Sequence, residues 1–476
     1  MSRHTRLIFL AAFAAGCATN PVTGRSQLSL ISEGQEIQMG KEYAEQVKAA
    51  YGLYDNAGLQ AYVSRLGMQL AAKSERPQLP WQFNVIDDAA VNAFALPGGP
   101  VFITRGILTH MNSEAELVSV LGHEIGHITA KHSVSQMSQA QLANLGLGIG
   151  SIFSSTVANV SGIASAGLSV LFLKYGRDAE RQADELGFKY MVRENYDPRE
   201  MASMFRTLQR TGGSGEGRLP EWLSTHPNPE NREQAVAQRV DSLGRDVGAM
   251  TVDREEFIRY ISGMNYGLNP REGFFRNGLF LHPDLRFQLQ FPQGWQTQNT
   301  KQAVAAMSPN QDAILQMTLG QGTPDQAAQQ FFGQQGIQSS NVSRNSVNGM
   351  PAVSGYFQAQ TQDGATIRGL GVWLQYGNAT YQLLGYSPAQ AFSRYDQVFR
   401  QSIGSFRELT DQAALNVQPA KIELVRVSRT MSVAEFNRQF PSSIPIEEVA
   451  IINGVDAGGS LQAGTMAKRV VGGVRQ

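Results

Sequence analysis

The sequence predicts an α+β protein whose first half is mostly helical and whose second half is rich in strands. Apolar residues recur at helical spacing in Glu33 to Tyr51 and in Asn56 to Lys73. After Asn269-Pro270, short segments with strand character follow one another, such as Leu285 to Phe291 and Gly369 to Gln375. With 476 residues, 42% of them apolar, the chain is long enough for about three folded domains.

Changes in composition place the domain boundaries. We expect a leader over residues 1–16, a first domain over 17–268, a second domain over 269–409 and a small last module over 420–473. Lys plus Arg and Asp plus Glu number 40 each, so the net charge gives no reason to expect nucleic acid as a partner.

The first residues have the pattern of a secretory signal. Arg3 and Arg6 form a basic start, and Leu7 to Ala15 is wholly apolar but too short to span a bilayer. The only cysteine of the chain ends this run in Ala14-Ala15-Gly16-Cys17, which resembles a bacterial lipobox, although lipoboxes prefer Leu at the first position. The resemblance implies a lipid on Cys17 and a lipoprotein anchored to a membrane of the bacterial periplasm, which we expect to be the outer membrane. An ordinary cleaved signal with an incidental cysteine is the alternative.

Residues 122–132, with the sequence GHEIGHITAKH, contain the pattern HExxH. His123 and His127 are four residues apart, so on a helix both imidazoles project from one face and can bind a single metal ion. Glu124 lies beside that face, where it could take a proton from a zinc-bound water. The pattern therefore predicts one zinc ion (Zn²⁺) per chain. The alternative is a pair of core histidines on an apolar helix.

A catalytic zinc ion needs a third protein ligand and an open position for water. The charged stretch Gly176 to Asp184 offers two carboxylates, Glu180 and Asp184, one helical turn apart on the same face. One of them could bind the metal while the other accepts a hydrogen bond from a ligand histidine. A solvated, charge-rich helix face is the alternative.

Three motifs in this order, HEIGHITAKH, GRDAERQAD and THPNPENR, resemble the M48 family of zinc metallopeptidases, and the resemblance covers about Asn20 to Val240. It implies a mostly helical, zincin-type metalloprotease domain with a small sheet. It also implies that Glu180 is the third zinc ligand, that Asp184 is the orienting carboxylate, and that Arg232 pairs with a carboxylate of the site.

His226, in the motif THPNPENR, has two functional interpretations. It could donate a hydrogen bond to the oxyanion that develops during peptide hydrolysis. In periplasmic relatives an equivalent histidine can instead occupy the fourth zinc position and block water, so the resemblance also implies latency. A loop histidine that caps the following helix is the non-functional alternative. Among the remaining histidines, we expect His132 to be structural.

Residues 92–99, with the sequence NAFALPGG, resemble the segment of the M48 family that adjoins the substrate-binding edge strand. The resemblance implies that Asn92, Phe94, Gly98 and Gly99 lie along the strand to which an unfolded peptide adds by main-chain hydrogen bonds. The alternative is a plain turn with Phe94 in the core.

The 41 residues from Ser133 to Leu173 contain no Asp, Glu, Lys or Arg. Gln, Asn and Ser interrupt every apolar stretch, so no run of about 20 apolar residues could span a bilayer. A span would also place His123 and Glu180 on opposite sides of a membrane. We therefore expect a buried helical hairpin or a mobile lid beside the cleft.

The second half of the chain carries two further resemblances. Phe280 to Phe406 resembles the PsbP-like α+β fold and holds no cluster of catalytic residue types, which favours a recognition or spacer domain. The tail, with Arg429 to Ser432, Ile452 to Gly454 and Leu461 to Gly464, resembles a LysM module. That resemblance implies binding of peptidoglycan, although Ser428-Arg429 replaces the Gly that usually precedes the Thr.

Together these patterns predict a zinc-dependent endopeptidase of the bacterial cell envelope. We expect it to hydrolyse peptide bonds in misfolded or unassembled envelope proteins as part of protein quality control, with Glu124 as the general base. The alternatives are a chaperone with a protease fold and a peptidoglycan-associated scaffold in envelope assembly. Glu124 and the complete ligand set argue against the chaperone, because a non-catalytic protein has no need of a general base. Only the tail favours the peptidoglycan-associated scaffold.

Overall fold

The computed structural model describes residues 17–147, 174–211, 221–226, 231–361 and 364–473. These residues form two compact units. The first unit comprises the described residues up to 268 together with 420–473, and the second comprises the described residues of 269–419. Helices predominate in the first unit and antiparallel strands in the second, which confirms the predicted α+β class. The predicted signal segment, residues 1–16, lies outside the described residues.

The first unit is built mainly from helices. Up to residue 268 its helices are α1 (Glu33–Tyr51), α2 (Ala57–Ala71), α3 (Arg105–His110), α4 (Glu114–Thr129), α5 (His132–Leu147), α6 (Arg177–Arg193), α7 (Arg199–Thr211), α8 (Glu221–Thr225), α9 (Arg232–Ser242) and α10 (Arg254–Tyr260). Strands β1 (Cys17–Thr19) and β2 (Ser26–Leu28) pair antiparallel. A small sheet has the order β3-β5-β4, in which β3 (Gln82–Ile86) runs parallel and β4 (Ala93–Ala95) antiparallel to the central β5 (Pro100–Thr104).

Helix α4 is buried along its whole length. It contacts α2, α6, α7 and the edge strand β4. A Cβ atom on Gly122 would lie 3.1 Å from Cα of Gly187, and one on Gly126 would lie 3.0 Å from the carbonyl oxygen of Ala183. Larger side chains at these glycines would push α4 and α6 apart, so the glycines set the distance between the functional residues that the two helices carry.

Hydrogen bonds fix both ends of α4. At its start, the Ser113 hydroxyl accepts a hydrogen bond of 3.1 Å from the backbone N–H of Glu116, as a helix N-cap does. Near its end, the buried Arg76 guanidinium donates to the carbonyl of Ile128 at 3.0 Å and to the carboxylate of Glu36 at 2.8 Å. Because a buried guanidinium is costly without such partners, these bonds hold α4 in one position.

Of the uncharged segment Ser133 to Leu173, the structure describes residues 133–147, which belong to α5. The rest of the segment lies outside the described residues, so the expected hairpin or lid stays a prediction. No helix in the described part of the chain is long and apolar enough to cross a membrane.

The second unit is an antiparallel β structure with helices. Its elements are a 3₁₀ turn (Pro270–Glu272), β7 (Phe274–Arg276), β8 (Leu279–His282), β9 (Phe287–Gln290), β10 (Gln296–Asn299), β11 (Ala303–Met307), β12 (Ile314–Gly320), α11 (Pro324–Phe332), β13 (Ile337–Val347), β14 (Met350–Gln360), β15 (Thr366–Tyr376), β16 (Ala379–Pro388), α12 (Phe392–Gly404), β17 (Arg407–Glu408) and α13 (Gln412–Leu415). One sheet has the order β10-β11-β12-β16-β15-β14-β13, and a smaller one has the order β17-β9-β8-β7. The strand-like segments Leu285 to Phe291 and Gly369 to Gln375 lie on β9 and β15.

The tail of the chain, residues 420–473, is part of the first unit. Its elements are β18 (Ala420–Arg426), β19 (Met431–Ser432), α14 (Val433–Gln439), α15 (Ile446–Ile452), β20 (Ser460–Leu461) and β21 (Met466–Val471). Strand β18 pairs antiparallel with β21 on one side and with β6 (Asn265–Tyr266) of the first domain on the other. The buried Lys468 ammonium donates to the carbonyls of Thr109 at 3.0 Å and Met111 at 2.7 Å, just before α4. The tail therefore helps to position the segment from which α4 starts.

Candidate metal site

Four buried side chains converge beside α4. His123 and His127 come from α4, Glu180 comes from α6, and His226 directly follows α8. One nitrogen or oxygen atom from each lies within 4.8 Å of the others, so the four could hold one metal ion. The structure thus brings the three expected zinc ligands together with the histidine for which two roles were open.

The distances within this cluster suit a tetrahedral ion. The Nε2 atoms of His123 and His127 are 3.0 Å apart. Glu180 oxygens lie 3.5 Å from Nε2 of His123 and 3.4 Å from Nε2 of His127. His226 Nδ1 lies 3.3 Å from Nε2 of His123 and 3.0 Å from Oε1 of Glu180. A tetrahedral zinc ion with bonds of about 2.0–2.1 Å separates its ligand atoms by about 3.3 Å, so this donor set fits zinc.

Glu124 lies next to the cluster and is fully buried. Neither of its carboxylate oxygens makes a hydrogen bond with any residue that the structure describes. Its Oε1 lies 3.6 Å from Nε2 of His226. Burial of a carboxylate without hydrogen bonds is costly, and such a group is typical of a site that a water or a substrate completes.

Asp184 and Arg232 support His123 from the side opposite the cluster. Asp184 Oδ1 lies 2.9 Å from Nδ1 of His123, and Arg232 Nε donates to Oδ2 of Asp184 at 2.8 Å. Burial alone would raise the pKa of Asp184, but Arg232 and His123 hold that pKa below its ordinary value. The ionised carboxylate accepts the proton of Nδ1, which leaves Nε2 of His123 to face the cluster.

Charge is unevenly distributed over the four residues of the cluster. Burial alone would raise the pKa of Glu180, but His226, His127 and His123 hold that pKa far below its ordinary value. Burial lowers the pKa of His127 well below its ordinary value. Burial also acts to lower the pKa of His226, but Glu180 and Glu124 outweigh it and raise that pKa. The site therefore holds an ionised carboxylate beside a neutral imidazole, and both are the forms that bind a metal ion.

His132, which was expected to be structural, contacts a residue of the cluster. Its Nδ1 atom is 3.0 Å from Nδ1 of His127, and its Nε2 atom is 2.9 Å from Oε1 of Gln182. Lys131 adopts a left-handed backbone conformation with φ of 60°, which separates α4 from α5. Helical spacing counted from His127 therefore does not extend to His132, and the sequence analysis missed this contact.

Two aromatic residues that the sequence analysis did not single out pack on the cluster. The Tyr175 ring stacks on His127 with 4.0 Å between ring centroids, and the Trp222 ring stacks on His226 with 4.9 Å. The backbone N–H of Tyr175 also donates to the carbonyl of Thr225 at 3.2 Å. These contacts join segments far apart in the chain, so no local pattern signals them.

The segment predicted to bind substrate forms the edge strand β4 and the turn after it. Asn92 is buried, and Phe94 packs on Phe102 with 5.4 Å between ring centroids, so Phe94 also belongs to the core. Gly98 and Gly99 have φ of 77° and 135°, and a Cβ atom on Gly98 would lie 2.7 Å from the backbone of α1. The glycines thus allow a tight turn that returns the chain into β5.

Residues 57–240, which carry His123, His127 and Glu180, match the model of peptidase family M48. These residues form an M48 peptidase domain. The beta-barrel assembly-enhancing protease of Escherichia coli (strain K12) is 31% identical over 241 residues, which cover 49% of this chain and 49% of that protein. The mitochondrial metalloendopeptidase OMA1 of Arabidopsis thaliana is 32% identical over 171 residues, or 35% of this chain and 33% of that protein. The chain thus spans about half or less of the length of these curated relatives.

Solved structures resemble the chain only distantly. The PsbP protein of Synechocystis sp. PCC 6803 is 13% identical with a TM-score of 0.24, covering 28% of this chain and 94% of that protein. The protein LpqN of Mycobacterium tuberculosis is 17% identical with a TM-score of 0.19, covering 25% of this chain and 81% of that protein.

Proposed function

We propose that this chain is a zinc-dependent endopeptidase that acts on misfolded or unassembled proteins of the bacterial cell envelope. The observation that carries the proposal is the buried set of His123, His127 and Glu180 with Glu124 beside it. The named activities of the M48 relatives, a beta-barrel assembly-enhancing protease and a metalloendopeptidase, support the reaction class. A chaperone or scaffold would have no use for a buried carboxylate that lacks hydrogen-bond partners among the described residues.

In this proposal, different residues of the chain have separate roles in hydrolysis. Zinc, when bound by His123, His127 and Glu180, supplies Lewis-acid catalysis and lowers the pKa of water to about 7. Glu124 takes the proton of the attacking water and later gives it to the leaving amine.

We further propose that β4 receives the substrate as an added strand and that the described conformation is latent. Strand β4 lies at the edge of its sheet and contacts α4. Two features support latency. His226 lies between the metal ligands and Glu124, where the attacking water would have to lie. The backbone N–H of Trp222 in α8 donates to the carbonyl of Val91 at 3.2 Å, so α8 is bonded to the residues that precede β4.

Glu180→Ala is expected to weaken zinc binding itself, by more than the roughly 10–100-fold that loss of an outer-shell partner costs. The reason is that the substitution removes a ligand atom. Zinc affinity is measured by competition with a chelator. Glu185→Ala is the matched control, because Glu185 lies on the same helix and is exposed. Unchanged zinc affinity in Glu180→Ala would transfer the role of third ligand to Asp184.

Cys17→Ala tests the proposed lipid anchor. We expect the wild-type protein to partition with membranes and to incorporate a labelled fatty acid, and we expect the variant to incorporate no label. Ala18→Ser serves as the control for a change beside the cysteine. A protein without residues 1–17 that still partitions with membranes would make the uncharged segment Ser133 to Leu173 the anchor. Peptidoglycan binding by residues 420–473 is supported by the LysM resemblance alone.

A further inference from the structure

The two histidines of HExxH have different partners behind the metal site. His123 presents Nδ1 to the carboxylate of Asp184 at 2.9 Å. His127 presents Nδ1 to another imidazole, Nδ1 of His132, at 3.0 Å. His132 in turn presents Nε2 to the side-chain oxygen of Gln182 at 2.9 Å. A metal ligand whose second nitrogen faces a second imidazole needs an explanation, because two ring nitrogens can form a hydrogen bond only if one is protonated and the other is not.

The side-chain oxygen of Gln182, at the end of this series of contacts, determines which ring nitrogens are protonated. The oxygen of Gln182 can only accept, so Nε2 of His132 must donate to it. In a neutral imidazole Nδ1 of His132 is then the acceptor, and Nδ1 of His127 must donate to it. Nε2 of His127 is left without a proton, and it is this atom that lies 3.0 Å from Nε2 of His123 inside the cluster.

We infer that His132 is a positioning residue that fixes His127 in the tautomer and orientation needed to bind zinc, and that Gln182 fixes His132. The inference rests on the proposed function, since it concerns the zinc site of the same M48 domain. Helix α6 then serves both ligand histidines: Asp184 acts on His123 directly, and Gln182 acts on His127 through His132.

The charge of the site explains why His127 is supported by the neutral ring of His132 and not by a carboxylate. Glu124, Glu180 and Asp184 are three buried carboxylates, and Arg232 is a buried guanidinium. With a divalent ion bound, the formal charges of these four groups and the ion cancel. A carboxylate in place of the half-buried His132 would leave a net negative charge beside these buried groups, which is costly. A neutral acceptor orients His127 without adding that charge.

The test compares three substitutions of His132 that differ in where they place an acceptor. The amide oxygen of His132→Asn can reach the position of Nδ1, the amide of His132→Gln reaches the position of Nε2, and His132→Leu offers no acceptor. We expect His132→Leu to weaken zinc affinity about 10–100-fold, the usual cost of losing an outer-shell partner. We expect His132→Asn to retain most of the wild-type affinity and His132→Gln to resemble His132→Leu. Affinity is measured by chelator competition on the full chain.

A spectroscopic readout separates positioning from general destabilisation. With cobalt(II) in place of zinc, we expect the ligand-field absorption of His132→Leu to differ from that of the wild type and that of His132→Asn to match it. Gln182→Leu leaves every metal-facing residue in place and should shift the spectrum in the direction of His132→Leu. His110→Asn is the control, because His110 is a buried histidine that bonds the carbonyl of Gly106 and lies outside the cluster.

The outcomes distinguish this inference from the proposed function. If the wild-type protein binds no zinc, the proposed function fails. If the wild type binds zinc but His132→Asn and His132→Leu bind it equally well or equally poorly, only the role of His132 is overturned. If His132→Leu does not fold, the same comparison is made with Gln182→Leu, and an unchanged affinity and cobalt spectrum in that variant would overturn the role of His132.

Discussion

Glu124→Gln is expected to keep one zinc ion per chain and to lose peptide hydrolysis by about 100-fold to 10,000-fold, the range that general acid–base catalysis contributes. Glu124 is not among the four residues whose ligand atoms converge, so its replacement leaves the metal ligands in place. Glutamine has nearly the same shape but cannot take a proton. The measurement is zinc content together with cleavage of a generic unfolded protein substrate.

The substitution Glu185→Gln provides a matched control, since it makes the same chemical change on the exposed face of α6. We expect this control to cleave at the wild-type rate. Loss of stoichiometric zinc in Glu124→Gln would mean that Glu124 supports the metal and not the proton transfer. Retained hydrolysis with retained zinc would mean that another group is the base.

The parts of the site that lie on one helix could be predicted from sequence. His123, Glu124 and His127 have a fixed relation because the helical pitch alone places them, and the two glycines of GHEIGH are compatible with a buried helix. Glu180 and Asp184 were found as a pair for the same reason. The helical spacing does not show whether Glu180 or Asp184 binds the metal, since that depends on how α6 packs against α4. The family resemblance assigned that role.

The missed residues depend on breaks in regular structure and on tertiary contacts. The positive φ of Lys131 ends the helical pitch just before His132, and the backbone there has no strong sequence signal because Lys seldom adopts this conformation. Tyr175 and Trp222 reach the cluster from segments whose position is set by packing. Each was visible in the sequence only as one apolar residue among many.

In the second unit and the tail, too, sequence patterns located single strands but not the contacts between segments far apart in the chain. Short segments with strand character located β9 and β15 in the sequence. No local sequence pattern predicts that β18 pairs with β6, since those residues are far apart in the chain. The division into sequence modules therefore differs from the two compact units, in which the tail joins the M48 domain.

His226→Ala separates the two roles that remain for this histidine. In the described conformation Nδ1 of His226 lies 3.0 Å from Glu180 Oε1 within the cluster, and its Nε2 lies 3.6 Å from Glu124. An imidazole there excludes the water on which Glu124 must act. If open molecules make up about 0.1–10% of the population, as is common for minor states, removing the block raises proteolysis about tenfold to a thousandfold. We expect this rise in the rate of proteolysis, together with faster self-cleavage and a lower affinity for zinc.

If His226 instead donates to the developing oxyanion, the same substitution lowers the rate by about 100–1000-fold with zinc affinity unchanged. The sign of the change therefore decides between the roles. Cleavage is measured at saturating zinc, so that loss of the ion cannot imitate loss of a donor. His282→Ala, in the second unit, controls for removal of a histidine elsewhere. A His226→Ala protein with wild-type activity and wild-type zinc affinity would show that His226 is neither a ligand nor a donor, because both roles require it to act at the metal.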